Sequence, residues 1–176
     1  NYELHKGLWS GHNDHNYFEI AHTMRRLQGL CHETRLYNFS DNHDVERLPN
    51  KLRNREHIRH IALLVYTLWG IPSIYYGSEF GIEGKKEWGS DWPLRPCLDL
   101  EEFKDAADTN PVTSVYAALG RLKAECPELT WGEVKELHLT TQCYAYARVL
   151  DGEAIVAVLN NGDSPAQLEF QLPVEA

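Results

Sequence analysis

The chain has 176 residues, of which 43% are hydrophobic, enough to bury the core of one large domain or of one and a half small ones. Its 17 basic and 26 acidic side chains give a formal net charge of −9, which argues against wrapping nucleic acid or coating an anionic membrane by charge alone. The sequence contains no run of about eighteen apolar residues that would indicate a membrane span. A neutral partner such as a sugar suits this composition.

Cysteine and histidine spacing predicts no metal site. The four cysteines are Cys31, Cys97, Cys126 and Cys143. They include neither a CxxC pair nor metal-ligand spacing, which favours free thiols in a reducing compartment such as the cytoplasm. His12 and His15 flank Asp14, but no further ligand follows at a recognisable spacing, so we interpret them as part of a polar loop. Because the sequence opens at Asn1 without Met, we expect a piece of a longer protein.

The first third of the chain predicts a strand end, a helix and a second strand. Residues 1–9 are mixed and aromatic, as at the end of a strand, and residues 11–14 have loop chemistry. Asn16 begins a capping-box-like arrangement, and apolar residues at helical spacing follow it as far as Gly29. Residues 36–39 then form a short apolar run that is typical of a strand.

A second helix and a third strand follow. Ile58, Ile61 and Val65 recur at helical spacing and predict one buried helix face, and Gly70 ends that helix. Residues 71–76 form a continuous β-branched and aromatic run, which is typical of a strand covered on both faces.

A long loop and a capped helix come next. Residues 81–110 show no clear periodicity, and a loop of this length in a compact domain is usually functional or disordered. Asn110 before Pro111 predicts the start of a helix, with a cap followed by proline in the first turn. After Trp131 the hydrophobic period changes from 3.6 to 2, so we place a domain boundary near that residue.

The carboxyl-terminal stretch predicts an antiparallel meander. Strands are expected at 143–149 and 155–159, joined by an Asp-Gly turn. A second turn signal at 160–163 leads to alternating apolar residues at 168–172. We therefore expect residues 132–176 to be a C-terminal β-sandwich domain that is truncated here, because the strands are few.

Residues 1–131 alternate strands with helices. Such β/α units, with roughly thirty-residue spacing, imply parallel strands joined by helical crossovers. The pattern fits either part of a (β/α)8 barrel or a small doubly wound sheet. Three strands are too few to close a barrel, so in the first case the other strands belong to a segment outside this chain.

A cluster of four ionisable side chains follows the 36–39 strand. Its members are Asp41, His43, Asp44 and Glu46. At the carboxyl end of a strand, a carboxylate can stabilise a developing positive charge and an imidazole can hydrogen-bond hydroxyl groups. The alternative is a solvated loop, because neighbouring residues of a strand point to opposite faces. Spacing alone leaves both interpretations open.

Two motifs give a resemblance to a known family. FSDNHD at residues 39–44 resembles the F-x-x-N-H-D region at the end of the seventh barrel strand of the alpha-amylase family, glycoside hydrolase family 13. GIPSIYYGSEFG at residues 70–81 is similar to that family's eighth-strand motif and lies one helix downstream. The sequence of residues 81–96 is similar to that of the neopullulanase, cyclomaltodextrinase and maltogenic amylase group. The resemblance implies an α/β fold, the C-terminal part of a (β/α)8 TIM barrel with about strands 6 to 8, followed by an antiparallel all-β domain.

The resemblance also implies roles for five residues. Asp44 matches the family's transition-state-stabilising carboxylate and is the expected catalytic residue. His43 matches the histidine that hydrogen-bonds sugar hydroxyls at the cleavage point, and Asn42 belongs to the same region. Asp91 and Arg95 lie where related enzymes contact sugar hydroxyls, although Arg95 could equally form a structural ion pair. The resemblance implies no cofactor in this segment and is compatible with calcium in the full-length protein.

One departure from the family pattern limits the chemistry. Retaining glycosidases need a nucleophile and a general acid/base about 5 Å apart, and no stretch here resembles the family regions that carry them. We therefore expect part of a retaining α-glycoside hydrolase that acts on α-1,4- or α-1,6-linked α-glucans, needs the remainder of the barrel and hydrolyses nothing alone. The alternative is a non-catalytic amylase-like carbohydrate-binding or interaction protein. The presence of Asn42, His43 and Asp44 favours the enzyme.

Overall fold

The computed structural model describes residues 1–31 and 34–174, which form seven α-helices and five strands. The helices are α1 (Tyr2–Asn13), α2 (Phe18–Leu30), α3 (Leu48–Lys51), α4 (His57–Thr67), α5 (Ala106–Thr109), α6 (Pro111–Glu125) and α7 (Pro127–Trp131). The strands are β1 (Tyr37–Asn38), β2 (Ile71–Pro72), β3 (Glu133–Leu139), β4 (Cys143–Leu150) and β5 (Glu153–Asn160). None of the helices in these two ranges is long and apolar enough to cross a membrane.

Helix α1 lies where a strand end was predicted, so that prediction is wrong. The Asn1 side-chain oxygen caps the helix by accepting a hydrogen bond from Leu4 N. Leu4 and Leu8 are four residues apart on one helix face, and both are fully buried in the core that α1 shares with α2 and α4. The burial of this stripe outweighs the strand-like composition of the stretch.

Strands β1 and β2 are short and parallel. Ile71 N donates a hydrogen bond to Leu36 O at 2.9 Å, and Ser73 N donates to Asn38 O at 2.8 Å. The predicted parallel pairing through a helical crossover is thereby confirmed. Both strands are shorter than predicted, and Ile71 is 40% exposed, so the 71–76 run is not covered on both faces in this chain.

The loop between β2 and α6 is ordered by short helical segments. Turns of 3-10 helix lie at Ser78–Phe80, Trp92–Leu94 and Leu100–Phe103. The loop ends where the sequence predicted a helix start, since the Asn110 side-chain oxygen accepts from Val112 N at 2.9 Å. Helix α6 then packs against α4, so both predicted amphipathic helices are confirmed.

The last three strands form an antiparallel sheet in the order β3-β4-β5. Asp151 and Gly152 connect β4 to β5 with φ of 50° and 86°, as a tight type I′ turn requires. The strand predicted at 168–172 does not form, and Leu172 is 58% exposed, so its alternation gains little apolar burial. Residues 175 and 176, the end of the expected β-domain, lie outside the described residues.

One hydrophobic core joins the helices to the sheet. Tyr144, Tyr146 and Leu159 of the sheet are buried in the same cluster as apolar residues of α1, α2, α4 and α6. The hydroxyl groups of Thr67 and Tyr146 lie 2.5 Å apart across this junction. The sheet therefore packs on the helices through a shared core.

Candidate active site

The polar residues after β1 form a turn that exposes two of its side chains. Asn42 Oδ1 accepts a hydrogen bond from Asp44 N at 2.9 Å, and Asn42 Nδ2 donates to the Tyr2 hydroxyl at 3.1 Å. His43 Nε2 lies 3.3 Å from Asp44 Oδ2, with 57% and 48% of the two side chains exposed. Neighbouring residues point to opposite faces only in a strand, and here the backbone turns. The imidazole and the carboxylate therefore share one surface.

Arg95 connects this turn to the loop that follows β2. Its Nη2 lies 3.4 Å from Asp44 Oδ1 and 3.2 Å from Asp91 Oδ2, and its Nε donates to His43 O at 3.2 Å. All five residues that the motifs singled out are therefore brought to one surface. Arg95 forms the ion pairs that were the alternative to sugar binding.

The sequence did not single out two neighbours of this surface. Lys86 Nζ donates to Asp44 O at 3.0 Å and lies 3.6 Å from Asp91 Oδ1. The composition around Tyr2 predicts a strand end and gives no sign of a helix facing this surface. Lys86 is a lysine in a charged loop, which gives no distinguishing signal. Two cations thus face two carboxylates, and such exposed pairs contribute only about 0–1 kcal/mol each. Ligand hydroxyls can replace contacts as weak as these.

Two of the four ionisable residues in the predicted cluster have other partners. Asp41 is 1% exposed, and its carboxylate accepts from Leu48 N at 2.9 Å and from Ser78 Oγ at 2.5 Å. Glu46 lies 3.3 Å from Lys51 Nζ in an ion pair. The predicted cluster therefore supplies only one histidine and one carboxylate to the exposed surface.

Arg47 fixes the turn from below. Its fully buried guanidinium donates through Nη2 to Tyr76 O at 2.5 Å and lies 4.5 Å from the centre of the Tyr75 ring. The Tyr75 ring centre is in turn 6.2 Å from that of His43. The backbone N of Arg47 donates to Gly84 O at 2.9 Å. One residue therefore holds the segment after β1 against the segment after β2.

Close packing at two glycines keeps the second segment in place. Gly77 has φ of 84°, and a Cβ there would lie 2.7 Å from Arg47 Nη2. A Cβ at Gly84 would collide with Pro93 O and lie 2.7 Å from Arg47 Cγ. Gly84 N also donates to Asn50 Oδ1 at 2.7 Å. These contacts require glycine at both positions and position the loop that carries Asp91 and Arg95.

An open pocket of about 370 Å³ adjoins the turn. It is lined by Gly89, Ser90, Asp91, Trp92 and Arg95. Trp92 is 80% exposed, so an aromatic face stands beside acidic, basic and hydroxyl groups. This lining combines an apolar face with hydrogen-bonding groups, as small-molecule sites do. One carboxylate here can stabilise a positive charge, but a double displacement needs two.

Within residues 1–31 and 34–174, no group of three or more His, Cys, Asp or Glu side chains could hold a metal ion. All four cysteines are free thiols, as the spacing predicted.

Comparison with known proteins decides the family. The family profile described as "Alpha amylase, catalytic domain" matches residues 6–141. The chain belongs to the alpha-amylase family. This confirms the resemblance that the two motifs at residues 39–44 and 70–81 gave.

Similar proteins come from the enzyme group that the sequence of residues 81–96 indicated. The chain is 31% identical over 127 residues to a cyclomaltodextrinase of Thermoanaerobacter pseudethanolicus, covering 72% of this chain and 21% of that protein. It is 31% identical over 141 residues to neopullulanase 2 of Thermoactinomyces vulgaris, covering 78% and 23%. The chain thus spans about a fifth of the length of these relatives.

The fold agrees with this membership. The structure is similar to that of an alpha-amylase from H. orenii, with a TM-score of 0.77 and 19% identity, over 92% of this chain and 38% of that one. The predicted fold class, part of the alpha-amylase barrel followed by antiparallel strands, is confirmed. Only two parallel barrel strands are present in the described residues, because residues 1–9, which the sequence predicts to be the end of a strand, belong to helix α1.

Proposed function

We propose that the chain is part of a retaining α-glycoside hydrolase that acts on α-glucans with α-1,4 or α-1,6 linkages. Asp44 stabilises the positive charge that develops on the sugar in the transition state. His43 hydrogen-bonds hydroxyls of the sugar at the cleavage point, supported by Asn42. Asp91 and Arg95 bind hydroxyls of a neighbouring sugar unit, exchanging their mutual ion pair for contacts with the substrate.

The observation that carries this proposal is the convergence on Asp44. His43 Nε2 contacts one of its carboxylate oxygens and Arg95 Nη2 the other, at 3.3 and 3.4 Å. The two partners come from different loops, which meet because Arg47 and Gly84 hold them together. A half-exposed carboxylate, held in place and paired with Arg95 of the pocket lining, suits electrostatic stabilisation of a bound sugar.

The isolated chain is expected to release no sugar. Double displacement requires a nucleophile and an acid/base on either side of the scissile bond, and the family carries both on barrel strands that this sequence does not match. We therefore assign residues 1–131 to the catalytic barrel and residues 132–176 to the β-domain after it. The remainder of the barrel is then an obligatory partner of this chain.

The test is an assay of the whole protein that contains this chain, on maltodextrins, cyclodextrins and pullulan. Asp44→Asn removes the charge but keeps the shape of the side chain. We expect it to lower kcat by about 10²–10³-fold, as for loss of one electrostatic stabiliser. The matched control is Asp14→Asn, since Asp14 is an exposed carboxylate that pairs with Arg53 away from the turn.

Three results would count against this proposal. Wild-type protein that turns over none of these glucans, despite an intact nucleophile upstream, would favour a non-catalytic amylase-like protein. Equal kcat in the Asp44→Asn and Asp14→Asn variants would remove Asp44 from the chemistry. Reducing sugar released by these 176 residues alone would refute the assignment of the missing carboxylates.

A further inference from the structure

A second groove with an aromatic lining lies at the other end of the parallel strands. It has a volume of about 380 Å³ and is lined by Gln28, Trp69, Trp131, Gly132, Glu133 and Val134. Trp69 precedes the amino end of β2, whereas the candidate active site follows the carboxyl ends of β1 and β2. Because the two strands are parallel, the groove and the active site lie toward opposite ends of the strand pair. None of the proposed catalytic or sugar-binding residues lines this groove.

A single buried side chain holds both walls of the groove together. Arg148 donates through Nη1 to Thr67 O at 2.7 Å, two residues before Trp69. Its Nη2 donates to Gly132 O at 2.9 Å, one residue after Trp131. Since Arg148 is only 1% exposed, this connection is shielded from water.

Backbone contacts fix each wall further. Asn38 Nδ2 donates to Trp69 O at 2.9 Å. A Cβ at Gly132 would lie 2.5 Å from Glu128 O, so the chain beside Trp131 is packed as closely as glycine permits. The groove is therefore preformed, and a ligand that fills it does not have to order its walls.

Trp131 remains available at the surface of this rigid groove. Its side chain is 67% exposed, and the Arg35 guanidinium lies 4.0 Å from the ring centre, a distance at which cation–π attraction steadies the indole. Gln28 and Glu133 add an amide and a carboxylate to the lining. An indole offers its face to the C–H face of a sugar ring, while the amide and carboxylate bind hydroxyls. Glu133 is paired with Lys135 Nζ at 2.6 Å, so it presents no free charge to a ligand, and the net charge of −9 disfavours an anionic ligand.

We propose that this groove is a second binding site for a neutral α-glucan chain, separate from the site of cleavage. A segment of the polymer stacks on Trp131 and Trp69 and hydrogen-bonds Gln28 and Glu133. The choice of an α-linked glucan rests on the proposed function, whereas the preference for a neutral sugar rests on the lining itself. When two separate sites of the protein bind one polymer chain, the effective concentration of the substrate at the site of cleavage rises.

The experiment is an NMR titration, with maltoheptaose, of the whole protein that contains this chain, carrying Asp44→Asn to slow turnover and following the indole N–H signals of Trp69, Trp88, Trp92 and Trp131. We expect the signals of Trp69 and Trp131 to shift. Trp131→Ala should weaken this binding by about tenfold or more, and Gln28→Ala should weaken it without removing an aromatic ring. Trp88→Ala is the matched control, because Trp88 is fully exposed and does not line the groove, and it should leave the affinity within about twofold.

Several outcomes would overturn the proposal. Shifts confined to Trp88 and Trp92, with affinity unchanged in Trp131→Ala, would place all binding at the candidate active site and leave the proposed function intact. Shifts with cellohexaose but none with maltoheptaose would contradict the α-linked ligand. Concentration-dependent self-association that Trp131→Ala abolishes, without any sugar-induced shift, would assign the groove to a protein contact.

Discussion

Acid should destabilise the folded chain through a buried histidine. His12 is fully buried, its Nδ1 lies 2.6 Å from Leu8 O and its Nε2 lies 3.2 Å from the Tyr17 hydroxyl. In the neutral ring Nδ1–H donates to the carbonyl and Nε2 accepts from the tyrosine, so both nitrogens are satisfied. The rings of His57 and His60 lie 5.2 and 5.7 Å away, centre to centre. A proton on His12 would therefore add a charge in a buried site among other imidazoles.

The size of the effect follows from the pKa of His12. Burial, with a smaller contribution from His57, His60 and His15, lowers this pKa from 6.5 to about 3 despite the opposing hydrogen bond to Leu8. Between these two values the unfolded chain binds a proton that the folded chain does not, so stability falls as the pH falls. At 1.36 kcal/mol per pH unit, lowering the pH from 6.5 to 5 costs about 2 kcal/mol from His12 alone.

Urea unfolding between pH 7.5 and 5 measures this directly, in a range where most carboxylates stay ionised. His12→Gln keeps an amide donor for Leu8 O but cannot titrate, so it should remove about 2 kcal/mol of the pH dependence. Burial also lowers the pKa values of His57 and His60, so some dependence of the same sign should remain. The exposed His22 provides the matched control as His22→Gln. A pH dependence as steep in His12→Gln as in the wild type would refute this account.

Two further predictions concern the residues that hold the candidate site. Arg47→Met removes a buried charge-assisted hydrogen bond and should lower the free energy of unfolding by about 2–4 kcal/mol, measured in urea. Arg59→Met is the control at an exposed ion pair and should lower it by less than about 0.5 kcal/mol. Equal losses would show that Arg47 is not a structural anchor. Gly77→Ala should cost about 3 kcal/mol, because φ is 84° and the added Cβ collides with Ile82. Gly152 has a similar φ but open space around it, so Gly152→Ala should cost about 1 kcal/mol. Equal losses of stability in the two variants would refute the role of close packing at Gly77.

The parts of the fold that the sequence predicted are those with strong local signals. The Asn110–Pro111 pair and the apolar stripe of α4 each determine their element within a few residues, and Asp151–Gly152 does the same for the hairpin. Helix α1 has no such signal, because its buried Leu4 and Leu8 depend on α2 and α4 for their partners. Its stability is set by tertiary contacts that a pattern of nine residues does not contain.

The sequence predicted residues of the candidate site but not the contacts between them. The motif at 39–44 pointed to Asp44 and His43, yet the ion pair from Arg95 to Asp44 joins residues 51 positions apart. Such pairing depends on where two loops meet, which the short spacing within either motif cannot specify. Lys86 shows the same limit, since its contact with Asp44 appears only when the loop after β2 is folded back.

The charged side chains of this region differ in burial, and the buried pair and the exposed pair have different roles. The pair of Asp41 and Arg47 is almost completely buried, where loss of one partner leaves an uncompensated charge, so these residues can change partners only at large cost. Asp44 and Arg95 are 48% and 42% exposed, so water already competes for their contacts and a bound ligand can replace them. The catalytic role proposed for Asp44 needs both properties, a backbone that does not move and side-chain contacts that yield to substrate. Arg47 supplies the first beneath the turn, and the exposed pairing of Asp44 with Arg95 supplies the second.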